Sequence, residues 1–126
     1  MRIPRILALT DVNMASPPDQ AEELVAFYTQ LVGLDHLLDE SDERRQVFRG
    51  DRRRGPRIVV WLRSPLREED RRRVLIQVAS LRDYVERLSE ERIFWQEIRG
   101  WGYYDRRVYV FDPAGNLVEL VCYHPF

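Results

Sequence analysis

The chain has 126 residues, a length that suits one domain rather than two independent ones. Its 20 basic and 21 acidic residues leave a formal net charge of -1, which gives no global attraction to nucleic acid or to an anionic membrane. All the basic residues are Arg, so no Schiff-base or general-base lysine exists; the single cysteine, Cys122, excludes an intrachain disulfide and a thiolate cluster within one chain.

The apolar run Ile6 to Val12 predicts a strand. Its stretch Ile6-Leu7-Ala8-Leu9 is too short for a signal segment or a membrane span, so a cytoplasmic protein is expected. Ser16-Pro17-Pro18-Asp19 predicts a helix start, with Ser16 as the cap, Pro17 at the first helical position and Asp19 closing a capping box. Leu24, Phe27, Tyr28 and Leu31 recur at helical spacing and give one apolar face. Gly33 is expected as the C-terminal cap. Leu37-Leu38 and Gln46-Val47-Phe48 read as short strands, and Arg57 to Leu62 as a clearer one. Ser64 to Asp70 is polar, contains Pro65 and reads as a linker.

The second half repeats the plan. Val74 to Val78 is a strand, and Ser80-Leu81-Arg82-Asp83 is a second capping box. Tyr84, Val85 and Leu88 continue at helical spacing to about Glu91, and strands follow at Phe94 to Ile98, Val108 to Phe111 and Leu117 to Val121. The two capping serines stand about half a chain apart, which points to duplication of a strand–helix–strand–strand–strand unit.

The segment Asp112-Pro113-Ala114-Gly115-Asn116 has tight-turn composition between two apolar strands, so it predicts a β-hairpin. Extended to Leu120, it resembles the D-P-x-G-N-x-x-E-L signature of the vicinal oxygen chelate superfamily, which groups glyoxalases, bleomycin resistance proteins and extradiol dioxygenases. Phe27-Tyr28 followed by Leu31-Val32-Gly33-Leu34 is similar to that family's F-Y-x-x-x-L-G-L, with a departure at Val32. The resemblance covers essentially the whole chain. It implies an α+β fold of two βαβββ modules, about 1–63 and about 72–126, within one domain spanning 1–126. It also implies a curved mixed sheet around a cleft, helices on the outside, and a homodimer.

Metal-dependent members draw His or Glu ligands from four cavity strands, leaving open positions for a substrate's oxygens. Carried over strand by strand, the resemblance places Glu119 at the family's Glu. Glu119 alternates with Leu117 and Val121, so it faces away from the helix layer and toward the cleft. Arg73 stands where the second module usually begins with His, and a permanent cation is no ordinary ligand. Ile58 to Leu62 supplies neither His nor Glu, and on the first strand only Asp11 and Asn13 come near, late in the run. No cofactor is therefore expected, and Glu119 is the one metal-ligand type left. It is expected instead to pair with Arg73 as a charge-assisted contact.

Other candidates weigh less. His36 and His124 fall outside the family's ligand positions. Arg44 to Arg57 holds seven arginines, but neighbouring Asp and Glu make it a solvated edge rather than a nucleic-acid patch. Tyr109 lies opposite Glu119 if the hairpin turns at Asp112 to Asn116, which makes it a pocket candidate. Trp61 is a second aromatic candidate, and Trp101, in the segment Trp101-Gly102-Tyr103-Tyr104, is a third as part of a lid. Cys122 is expected to pack as a small apolar group.

The expected function is metal-independent binding of a small, partly aromatic or anionic organic molecule by Glu119, Arg73, Tyr109, Trp61 and Trp101, by sequestration rather than catalysis. Neither nucleic acid nor a membrane is expected as a partner. The alternatives are a metal-dependent lyase, isomerase or dioxygenase using Glu119, and a structural dimer whose cleft its own side chains fill.

Overall fold

The computed structural model describes residues 6–9, 12–50, 55–64, 66–99 and 106–122. Nine strands run in chain order as β1 (Ile6–Leu9), β2 (Val12–Ser16), β3 (Asp35–His36), β4 (Arg45–Arg49), β5 (Arg57–Leu62), β6 (Arg73–Val78), β7 (Trp95–Arg99), β8 (Arg106–Phe111) and β9 (Leu117–Cys122). Helix α1 (Ala21–Ala26) follows β2, and α2 (Arg82–Glu90) follows β6.

Each half of the chain makes the same sheet. The order is β2-β5-β4-β3 in the first and β6-β9-β8-β7 in the second. In both, the first strand lies parallel to the last and the other neighbours are antiparallel. Parallel neighbours need a crossover, and α1 and α2 lie within those crossovers. Strand β1 adds antiparallel to the free edge of β6. The N-terminal run thus serves both sheets: residues 6–9 extend the second to five strands and 12–16 open the first. This is the α+β architecture of two βαβββ units.

Period-2 alternation sends Val74, Ile76, Val118, Leu120, Val108 and Val110 to one face of the five-stranded sheet, where they join a single core with α2's Tyr84 and Leu88. Leu24, Phe27, Tyr28 and Leu31 meet Phe48, Ile58 and Val60 of the other sheet in that same cluster. Full burial of each aliphatic contributes about 1.5–3 kcal/mol, so a core shared by both halves holds them as one body. The Tyr84 hydroxyl donates to the Val32 carbonyl at 2.6 Å, tying α2 to the end of the first helical segment.

Four local expectations fail, the first being the single strand at Ile6 to Val12, in whose place the structure has β1 and the start of β2. Ser16 does not cap α1: it is the last residue of β2, paired with Leu62, and its hydroxyl donates to the Pro17 carbonyl. The ladder with β5 carries the extended chain through Ser16, so helical geometry starts later, with a 3₁₀ turn at Pro18–Gln20. Likewise α2 starts after Leu81 with no side-chain cap bond. The duplication therefore rests on strand order, not on the serines. The third strand is also shifted, to Asp35–His36; Leu37 instead packs with Val47 and Val59 in a small separate cluster.

Gly33 does end the helical segment. It adopts φ 93°, and Leu34 N–H reaches back to the Tyr28 carbonyl at 2.9 Å. The last turn before it, Phe27–Leu31, is π-helical, with Val32 N–H bonded to the Phe27 carbonyl. Among the described residues, no helix is long and apolar enough to cross a membrane.

Candidate functional site

The β8–β9 hairpin turns where the sequence placed it. Asp112 Oδ1 accepts the Ala114 and Asn116 backbone N–H groups at 2.9 Å each, and Gly115 supplies the φ of 87°. Asp112 Oδ2 reaches out of the turn: it accepts the Tyr28 hydroxyl at 2.6 Å and Asn116 Nδ2 at 3.0 Å. Asn116 also donates to the Ala15 carbonyl and accepts from Arg72 N–H. The turn is thus a buried joint between the halves. Burial pushes the Asp112 carboxyl up, against the lowering effect of the hydrogen bonds from Tyr28 and Asn116. Burial, with Asp112 alongside, pushes the Tyr28 hydroxyl well above its ordinary value and keeps it a donor.

Glu119 precedes Leu120 on β9 and therefore points to the opposite face of the sheet. Tyr109 pairs with Glu119 across β8 and β9, and Leu75 flanks Glu119 from β6. The Glu119 residue is only 2% exposed, although it faces away from the helices. Side chains that lie over it account for that. Arg73 binds Oε2 through Nε at 2.9 Å and Nη2 at 2.7 Å. Arg107 Nη1 binds Oε1 at 2.6 Å, and the Tyr109 hydroxyl donates to Oε1 at 3.1 Å. Arg73 Nη2 also donates to the Tyr109 oxygen, with the guanidinium 5.4 Å from that ring's centre. Burial disfavours the charged form of Glu119, but bonds from Arg107, Arg73 and Tyr109 outweigh it and hold the carboxyl below its ordinary value. Glu119 in turn holds the Arg73 guanidinium above its own.

The structure therefore brings together Arg73, Tyr109 and Glu119. Arg107 belongs with them and was missed; it stands two residues before Tyr109 on the same strand, so period-2 alternation was the available signal. Trp61 sits on the four-stranded sheet, where its indole donates to Asn13 Oδ1 at 3.2 Å and Arg45 lies 5.6 Å from its ring. Trp101, Tyr103, Tyr104 and His124 lie outside the described residues, as does Asp11. His36 is bonded to Gln46 and stacks on Phe48, and Cys122 is buried with its thiol against the Ala79 carbonyl.

This donor set does not suit a divalent ion. Both carboxylate oxygens of Glu119 already accept from guanidinium groups, and the charge that would attract a cation is offset by two Arg. Among the described residues, no group of three or more His, Cys, Asp or Glu is placed to hold a metal. A cavity of about 300 Å³ lies on the helix side, floored by Ala26, Phe27, Leu31 and Ile93, and does not include Glu119. Its rim lacks convergent buried polar groups, whereas the Glu119 cluster has them. That convergence of donors on a carboxyl shifted from its ordinary value marks the outward sheet face as the candidate site.

The family description "Glyoxalase/Bleomycin resistance protein/Dioxygenase superfamily" matches residues 12–120, which is most of the chain. The chain belongs to this superfamily. No curated protein sequence matches it. Solved structures share the fold at low identity. A lactoylglutathione lyase from Agrobacterium tumefaciens is 18% identical with a TM-score of 0.69, covering 92% of this chain and 93% of that one. The antibiotic binding protein TnmS3 from Streptomyces is 19% identical with a TM-score of 0.66, covering 90% and 93%. The fosfomycin resistance protein FosX from Listeria monocytogenes is 17% identical with a TM-score of 0.66, covering 90% and 90%. In this superfamily chain the D-P-x-G-N turn acts as the joint between halves, while the Glu that follows it is neutralised by arginines.

Proposed function

We propose that this superfamily member is a metal-independent binding protein for a small organic molecule, working as a homodimer, with the outward face of the five-stranded sheet as its site. One observation carries the reading. Glu119, the residue in the family's ligand position, is held by Arg73, Arg107 and Tyr109, while the Arg73 side chain stays 58% exposed beside it. Such a cluster orients polar groups of a ligand without a Lewis acid. A protein of the same fold is an antibiotic binding protein, and binding of that kind is the activity carried over here.

The test is a small-molecule screen by NMR on chelator-treated protein. Hits are expected to shift the amides of Leu75, Tyr109 and Glu119, with affinity unchanged by added divalent metal. Stoichiometric metal in the purified protein, with binding lost on chelation and in Glu119→Gln, would favour the metal-dependent lyase, isomerase or dioxygenase instead.

A further inference from the structure

The register across the five-stranded sheet sets out the composition of the outward face. Phe111 pairs with Leu117 on β9, and Leu117 pairs with Arg73 on β6. Phe94 stands one position beyond the pair Trp95–Val110, at the step alongside Phe111. Phe94 is 77% exposed and Phe111 56%, and Leu117 is half-buried. Leu117 and Phe111 are a ladder pair, and the register carried one step past Trp95 brings Phe94 to the next strand, an apolar strip about two strand spacings long, roughly 10 Å. Arg73 and Tyr109 border the strip. Two adjacent exposed phenylalanines are uncommon on a face that water alone covers.

The charge beside the strip has one sign toward solvent. Glu119 is the one carboxylate on this face among the described residues, and it lies beneath the guanidinium groups. Arg73 spends Nε and Nη2 on Glu119 and Tyr109. Its Nη1 has no acceptor among the described residues, and the side chain is 58% exposed, so these donors remain open to a ligand.

We infer that the ligand of this face is an amphipathic organic anion, with a singly charged oxyacid head on Arg73 Nη1 and an apolar body along Leu117, Phe111 and Phe94. This rests on the outward face being the binding site. Charge selects the head: a cation would meet Arg73, and a neutral ligand would leave its spare donors unanswered. Surface complementarity selects the body.

The experiment titrates three matched probes, octanoate, 1-octanol and octylammonium, onto the chelator-treated full chain by NMR. Octanoate is expected to shift the amides of Leu75, Tyr109, Phe111 and Glu119 and to bind at least about tenfold more tightly than the other two, the scale of one charge-assisted contact. Arg73→Gln should abolish that preference, and Phe111→Ser should weaken octanoate and octanol alike. Equal binding of octanol or octylammonium at the same amides overturns the inference and leaves the site standing. No shift at these amides with any probe also overturns it; the broader screen above then judges the site separately. If Arg73→Gln fails to fold, the ranking of the three probes on the unaltered chain still decides.

Discussion

Replacing Tyr28 by Phe tests whether the hairpin turn holds the two halves together. The change removes one oxygen and leaves the ring to pack against Phe27 and Phe48 as before. Asp112 then loses its donor at 2.6 Å and keeps Asn116 Nδ2 and the two backbone N–H groups. Both partners are buried, so water does not replace the hydroxyl. A hydrogen bond to a charged acceptor contributes about 1.5–3 kcal/mol. At roughly 4 °C per kcal/mol for a domain of this size, the melting temperature should fall by about 6–12 °C. Urea unfolding should show the same loss with an unchanged slope. A cycle with Asp112→Asn should return a coupling of at least about 1 kcal/mol. Because Tyr28 lies on the helix side, octanoate binding by the folded variant should not change. A stability loss under about 0.5 kcal/mol, or additive single and double variants, would refute the joint.

Acid should expose the Glu119 cluster. Its folded-state carboxyl lies below the ordinary 4.5, so its contribution is present above that value and is lost as pH falls through the folded value. Asp112 shifts the other way, so the difference between parent and variant isolates Glu119. Glu119→Gln should flatten the decline of melting temperature below pH 4.5; parallel curves for the two proteins would count against the pairing. Gly115→Ala should cost about 1–2 kcal/mol, because φ of 87° disfavours any L side chain. An added Cβ would also stand 3.0 Å from Arg71 Nε, but that exposed side chain can move, so the backbone sets the cost. Unchanged thermal unfolding of the Ala variant would show that the turn relaxes.

Much of the site was legible because it lies on neighbouring strands joined by a tight turn. Once Asp112 to Asn116 is read as a hairpin, counting outward puts Tyr109 opposite Glu119. The adjoining strand then brings Arg73 near. Arg107 was within reach of the same counting. The capping serines misled because S-x-x-D describes local chemistry only, and the β2–β5 ladder claims Ser16 first. Trp61 was chosen by residue type, and type carries no information about which sheet it joins.

The sequence alone determined the repeated plan of the two halves, the turn at Asp112, the Gly33 stop and the facing of Glu119. Periodicity and turn chemistry act over a few residues, so they can be read in one dimension. Tertiary structure decided what those elements meet. It put Tyr28 against Asp112 across 84 positions, divided the N-terminal run between two sheets, and closed two guanidinium groups over Glu119. Those outcomes depend on packing between distant segments, where burial and charge pairing outweigh local preference.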